Sequence, residues 1–594
     1  APARRIGARR RQAAVSSGRR TAVLPRAPAQ AVSLVRRLLS TPAYGCFSPR
    51  EESMSVSSPR LARLALVTML LAAPAAAVAY GVWVHAVVPV EVLSRLDPKL
   101  VPPVRTTMLK SGATDADVAA FRLWFYNRAV AIKDSGVHNA FLKRYPNAAA
   151  FDAKAFKAFQ MMNPEAQVLG VDPFAAVYRA RGRNDIALDP TTPYQPGQKV
   201  SIATALEMGS VYPDIDRRNQ DRIFRTPDGR VVLTARGDTV PMDPMTLNWG
   251  RLTGLSSQAH AHIGLNHEHH SSDPGVLSMT PWNFVIAIGF PTDSVESYAE
   301  ANAQLYTDLS YIAKLSGGPG TDLLSVFYAG NAMHYIADVG NAIHTLQAGV
   351  ERFYTDATMQ YWMSRLKTVF GLFGATPSRN SIGLDILTNH HTLSEKLFQV
   401  ELQQAWRLDS LGKRDSISAS MRTVLDAMRN GDPLFKRVLE SAVLSNAHKY
   451  WYPPFGSLIA STVIDSSFQD GATIYRLTRE IAVPRLHKLG VAINFDTVAD
   501  ARVWDYVRDR SDPQVKATLD TFNIYQGIAM ARVHDALTSW WDRYLITDRT
   551  TATKDRPALI DGLMKRVLRD QLNYLNAADA RRQEYIDAHG GLKK

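Results

Sequence analysis

Cysteine is almost missing from this 594-residue chain; the single one is Cys46. The body that follows has no thiol, so it forms no internal disulfide and offers no thiolate to a metal. Any metal held there must take histidine, carboxylate or backbone ligands. Net charge is equally scarce where it would matter. The formal charge is +14, but thirteen arginines and two glutamates within residues 1–79 carry +11 of it and leave +3 for the remainder. A body so nearly balanced excludes a nucleic-acid reading from bulk charge. Internal repeats, a phosphate-binding glycine loop, a Gly-x-Ser-x-Gly elbow and a zinc ribbon are also missing. What remains is ordinary: 46% hydrophobic and 21% charged residues, enough for a large core, in a length that allows about two to four domains.

Residues 1–53 are rich in Arg, Ala, Ser and Pro, and the chain begins without Met. They read as a disordered leader outside the mature protein, with a transit peptide or a basic tail as alternatives. Residues 54–79 read as a bacterial signal peptide. Arg60 and Arg63 supply the charged region, Leu64 to Leu71 the apolar one, and Ala77-Val78-Ala79 an A-x-A cleavage site. Cleavage there makes Tyr80 the new N-terminus and sends the protein to the periplasm or the medium. Apolar residues continue from Leu64 to Val90, so an uncleaved membrane anchor, which needs ~20 residues, is the alternative.

The most informative stretch is His334-Tyr335-Ile336-Ala337-Asp338-Val339-Gly340-Asn341-Ala342-Ile343-His344. His334 and Asp338 are four apart, which on a helix puts both on one face and lets both reach one cation. Gly340-Asn341 tolerates a helix break, and a break there turns His344 back toward the same site. His391 and Glu395 repeat the four-residue spacing inside a second helical run. Two helices each offering a nitrogen and an oxygen, plus one more histidine, point to a multi-zinc site.

The pattern H-Y-x-x-D-x-x-x-x-x-H, followed by H-x-x-x-E, resembles the zinc-dependent phospholipases C and the related single-strand-specific nucleases, all-α phosphodiesterases that hold three zinc ions. Ala337, Ala342 and Ala348 stand where that family usually has Gly, Pro and Asn. The resemblance implies further ligands. The family's mature N-terminal residue binds zinc through its own amino nitrogen and carbonyl oxygen, which here is Tyr80. The nuclease branch has a histidine five residues later, which here is His85. The family's D-x-x-R element matches Asp214 with Arg217, Asp216 being the second choice; taken alone, acidic residues beside a proline read as a turn. From the cluster His260, His262, His267, His269 and His270 the resemblance takes His262, with His260 as the second choice. It then places Asp214, His262, His334 and Asp338 on one zinc, His344, His391 and Glu395 on another, and Tyr80, His85 and Asp338 on the third. Asp338 bridges two ions, and Asp214 and Asp338 carry catalytic roles. Zinc lets a bound water ionise near pH 7 rather than ~15.7 and offsets the negative charge of a phosphodiester.

The expected fold is therefore all-α: a zinc phospholipase C-like catalytic domain over residues 80–490 and a helical C-terminal extension over 491–594. A small β-hairpin is expected at Arg225 to Thr239 with its turn at Asp228-Gly229. Helices are expected at Leu305 to Leu315 and Asp322 to Gln347, split by the breaker Ser316-Gly317-Gly318-Pro319-Gly320. More follow at 396–410, 417–429, 433–450, 467–490 and 516–546. Trp124, Phe125 and Tyr126 read as core or cleft wall, and Val369 to Gly374 as a loop able to touch lipid. The expected substrate is a phospholipid at a membrane surface, because the protein is exported and its body lacks a basic stripe. Nucleic acid is the alternative substrate, and a catalytically inactive zinc-binding protein is a third reading. No protein partner is expected.

Overall fold

The computed structural model describes residues 82–93, 115–152, 201–215, 223–226, 229–240, 299–342, 390–447, 454–467, 470–489, 501–550 and 555–593. All of them belong to one unit, Leu64–Lys594. The architecture is all-α. Fourteen α-helices occur among the described residues, and β-pairing there is limited to isolated bridges.

The centre is a helical hairpin. Helix α5 spans Ala299–Ser316 and α6 spans Thr321–Gly340. Between them Gly317 and Gly320 take φ of 67° and 70°, left-handed values that glycine adopts without steric cost. The breaker expected at 316–320 thus joins the two helices. Helix α6 is buried along nearly its whole length, so its sequence shows little amphipathic period. Its neighbours are α5, then α4 (Ile202–Ile215), α1 (Val82–Leu93), α10 (Phe455–Ser467) and α13 (Pro513–Thr550). Tyr306 of α5 stacks on Tyr335 of α6 with ring centroids 5.8 Å apart. Ser310 donates to the Tyr544 hydroxyl at 2.8 Å, and the Trp540 indole N–H reaches Thr307 at 2.8 Å. These bonds satisfy polar groups that burial would otherwise penalise.

Helix α6 stops where Gly340-Asn341 was expected to break it. The glycine serves packing as well. A Cβ at Gly340 would lie 2.2 Å from Cγ2 of Val533, so the absent side chain is what lets α13 approach.

The other helices are α2 (Asp115–Val130), α3 (Ser135–Arg144), α7 (His390–Ser410), α8 (Ala419–Asn430), α9 (Pro433–Ala447), α11 (Asp470–Leu489), α12 (Ala501–Val507) and α14 (Arg556–Ala588). Phe125 and Tyr126 are core, packed with Phe141 and Phe151, and Trp124 lies against that core partly buried. Helix α14 is tied to α5 by Arg566, which makes a two-pronged pair with the buried Asp308 at 2.6 Å to each oxygen. Gln304 adds a hydrogen bond to the same carboxylate.

Three helices differ from the sequence reading. Helix α1 begins just after the expected cleavage site, where no helix was expected and where the alternative reading put the end of an anchor; residues 83–93 are buried in the core. Helix α4 runs through Pro213 to Ile215, where a turn was the local expectation. It begins with Ser201, whose hydroxyl accepts the Thr204 N–H at 3.1 Å as an N-cap does. Helix α10 was not expected at all. The hairpin segment forms isolated antiparallel bridges, Arg225 with Val231 and Leu233 with Thr239, and Thr234 also bridges Leu592. Gly229 there has φ of 88°. No described helix is long and apolar enough to cross a membrane. The loop at 369–374 lies outside the described residues.

Candidate metal centre

Two helices supply the centre. Helix α1 brings His85, and α6 brings His334 and Asp338 one turn apart on one face. Both helices pack on α4. None of the three side chains is exposed.

Asp338 faces the two histidines with separate oxygens. Nε2 of His85 is 2.9 Å from Oδ1, and Nε2 of His334 is 3.2 Å from Oδ2. The imidazole rings lie against one another with centroids 4.2 Å apart and planes inclined at 34°. On its far side His334 places Nδ1 2.7 Å from the main-chain oxygen of Ser210 in α4. A carbonyl only accepts, so Nδ1 carries the proton there. In a neutral ring the lone pair is then on Nε2, turned toward Asp338.

Burial alone would raise the Asp338 carboxyl, but the charges and hydrogen bonds of His334 and His85 outweigh it and hold the group well below the usual carboxylate range. Asp338 is therefore an anion throughout the neutral range. An anion facing two imidazoles in a dry site is offset by a positive charge on those groups, either protons on the rings or a metal ion between them.

A divalent cation fits that requirement. One ligand atom from each of the three residues lies within 4.8 Å of the other two. The closest pairs, 2.9 and 3.2 Å, are near the roughly 3.3 Å that separates ligands on a tetrahedral zinc with bonds of about 2.0–2.1 Å. Two imidazoles and a carboxylate form a common zinc donor set. The Ser210 carbonyl, receiving the outer N–H of His334, is the support such a ligand ordinarily has.

Of the nine residues expected to bind zinc, the structure gathers His85, His334 and Asp338. Tyr80, His262 and His344 lie outside the described residues, as do Asp216, Arg217, His260, His267, His269 and His270. Asp214 is in the last turn of α4 and His391 in the first turn of α7; the side chains of both lie outside the description. Glu395 is buried on α7 and is not one of the three gathered residues. The Ser210 carbonyl was not anticipated. A main-chain acceptor has no residue type, and only the small residues Gly209 and Gly330 around it give any signal in the sequence.

Fold and centre together define an all-α protein with a buried His–His–Asp group capable of holding a metal ion. Compared with protein-family models, with curated proteins and with solved structures, the chain matches none.

Proposed function

We propose that this chain is an exported zinc-dependent phospholipase C, a divergent member of the three-zinc phosphodiesterases with a hairpin insertion and a helical C-terminal extension. The observation that carries the reading is the meeting of His85 with His334 and Asp338. His334 and Asp338 share a motif, but His85 lies far before that motif in the sequence and was singled out by its distance from Tyr80. Residues chosen by a ligand pattern, and then found converging in a buried site, support that pattern over coincidence.

The chain's own groups have definite tasks. Asp338 stays ionised and turns one oxygen to each histidine, which makes it the residue the two helices share. His334, fixed through Nδ1 by Ser210, presents Nε2. Burial excludes water from the three side chains and strengthens every electrostatic interaction among them. Zinc held there supplies the positive charge that makes an anionic phosphodiester open to attack and makes water acidic near pH 7.

A phospholipid is the favoured substrate because the body is nearly neutral and lacks a basic stripe. His85 itself favours one competitor, since a histidine five residues after the mature N-terminus is the nuclease-branch spacing. The test is therefore run on both substrates. Purified mature protein is expected to release diacylglycerol from phosphatidylcholine vesicles and to stop when a chelator is added. Digestion of single-stranded DNA with no lipid turnover would replace this reading with the nuclease. Full zinc occupancy without either activity would leave an inactive metal-binding protein.

A further inference from the structure

Helices α4 and α6 cross at two glycines with no room for a side chain on either. A Cβ on Gly209 would lie 2.2 Å from the carbonyl oxygen of Phe327. A Cβ on Gly330 would lie 2.6 Å from the Leu206 oxygen, 2.8 Å from the Ser210 nitrogen and 2.9 Å from the Gly209 Cα. Every one of these atoms is backbone and cannot swing aside. One turn past the crossing on α6 stands His334, and next to Gly209 on α4 stands Ser210, whose carbonyl oxygen is 2.7 Å from His334 Nδ1.

Pro213 adds to the arrangement. Lying inside α4, it has no N–H for the Gly209 carbonyl four residues back, and its ring presses on that carbonyl. Proline is a recognised cause of local helix opening, and here it acts one residue from the carbonyl that meets His334. Two helices held apart by ordinary side chains have axes about 8–10 Å apart. Backbone-to-backbone contact brings the Ser210 oxygen within reach of an imidazole that belongs to the other helix.

We propose that Gly209 and Gly330 are positioning residues for the metal centre: their crossing delivers the Ser210 carbonyl to His334 and so fixes the ring in the tautomer whose Nε2 faces Asp338. This rests on the reading of His85, His334 and Asp338 as metal ligands, and it does not depend on which phosphodiester, if any, is cut. The crossing acts on metal affinity through the tautomer, and on stability through packing, and the two effects can be separated. Gly456 of α10 provides the comparison. It makes an equally tight approach to α5, where a Cβ would lie 2.6 Å from Thr307 Oγ1 and 2.8 Å from the Ala303 oxygen, but that approach supports no ligand of the centre.

The test uses the full chain and zinc or cobalt ions, with no turnover assay. Nitrogen-15 spectra of histidine-labelled, metal-free protein, with the His334 signals assigned through His334→Gln, are expected to show His334 protonated at Nδ1. Gly330→Ala is expected to weaken zinc binding about 10–100-fold in competition with a chromophoric chelator and to alter the visible absorption of the cobalt form. Gly456→Ala is expected to lower the melting temperature and keep wild-type zinc affinity. Should Gly330→Ala fail to fold, the tautomer of the wild-type ring still decides the matter. A wild-type His334 that carries no proton on Nδ1 overturns the proposal. So does a folded Gly330→Ala with wild-type affinity, and so does an equal loss of affinity in the Gly330 and Gly456 variants. Zinc binding of the expected kind in a protein that cuts neither lipid nor DNA refutes the proposed function and leaves this inference standing.

Discussion

His85 Nε2 and Asp338 Oδ1 are 2.9 Å apart, and neither side chain has any exposed surface. The two histidines offset the cost of burying that charge, and an unpaired buried charge costs several kcal/mol. His85→Ala is accordingly expected to destabilise the chelator-treated protein by about 3–5 kcal/mol and to abolish zinc retention. Urea unfolding and metal analysis measure the two effects. A His85→Ala protein with unchanged stability and zinc content would remove His85 from the centre.

The Asp338 carboxyl is held well below its ordinary range in the folded state, so the unfolded chain, with a value of about 3.9, takes up its proton first as the solution is acidified. The stability from this group is complete above about pH 3.9 and is lost as the pH falls through the folded value. Chemical unfolding of metal-free protein between neutral pH and strong acid is expected to show that loss. The curve for Asp338→Asn should be flatter in the acid range. Parallel curves for the two proteins would mean that Asp338 is not the group responsible.

Asp535 behaves in the opposite sense. Burial raises its carboxyl to about 7, against the hydrogen bond from the Asp432 N–H and the charge of Lys436, and with the help of Asp432 and Glu440. The folded state now binds the proton more tightly than the unfolded state, so this group's contribution to stability falls as the pH rises from about 4 to about 7. Asp535→Asn keeps an oxygen for the Asp432 N–H. It is expected to raise the melting temperature more at pH 8 than at pH 5. An equal shift at both values would contradict the assignment.

Arg566 holds α14 on α5 through Asp308, which is itself almost fully buried. Burial pushes the Asp308 carboxyl up despite that partner. Arg566→Leu leaves the acid without its cation and is expected to cost about 3–5 kcal/mol in urea unfolding. Replacing both residues with apolar ones should recover part of that loss. If the double replacement is as unstable as the single one, the pair contributes packing rather than charge.

The parts of the fold that were legible in the sequence are those where a local rule agrees with the tertiary environment. Ser316 to Gly320 separates α5 from α6 because glycine accepts φ values that the turn needs. His334 and Asp338 were legible because helical spacing alone puts them together. Helix α1 was hidden because a helix buried on all sides has no polar face, and its residues merge with the apolar run before it. Helix α4 was hidden by Pro213, which a local rule reads as a turn and which here lies inside the helix, with the Gly209 carbonyl losing its N–H partner. His85 carried no local signal and was found only through its distance from Tyr80. Gly340 was expected for the right place and half the reason: it ends α6, and it also makes room for Val533.

The meeting of α1 with α6 also has a consequence for assembly. It closes a loop containing almost all the chain between residues 85 and 338, and the entropy lost in closing so long a loop grows only with the logarithm of its length. An ion gripped at that junction would act as a reversible clamp on the folded state, stabilising it to the degree that it binds. Release of the ion would then be felt in the intervening helices α2 to α5 as well as at the two histidines that hold it.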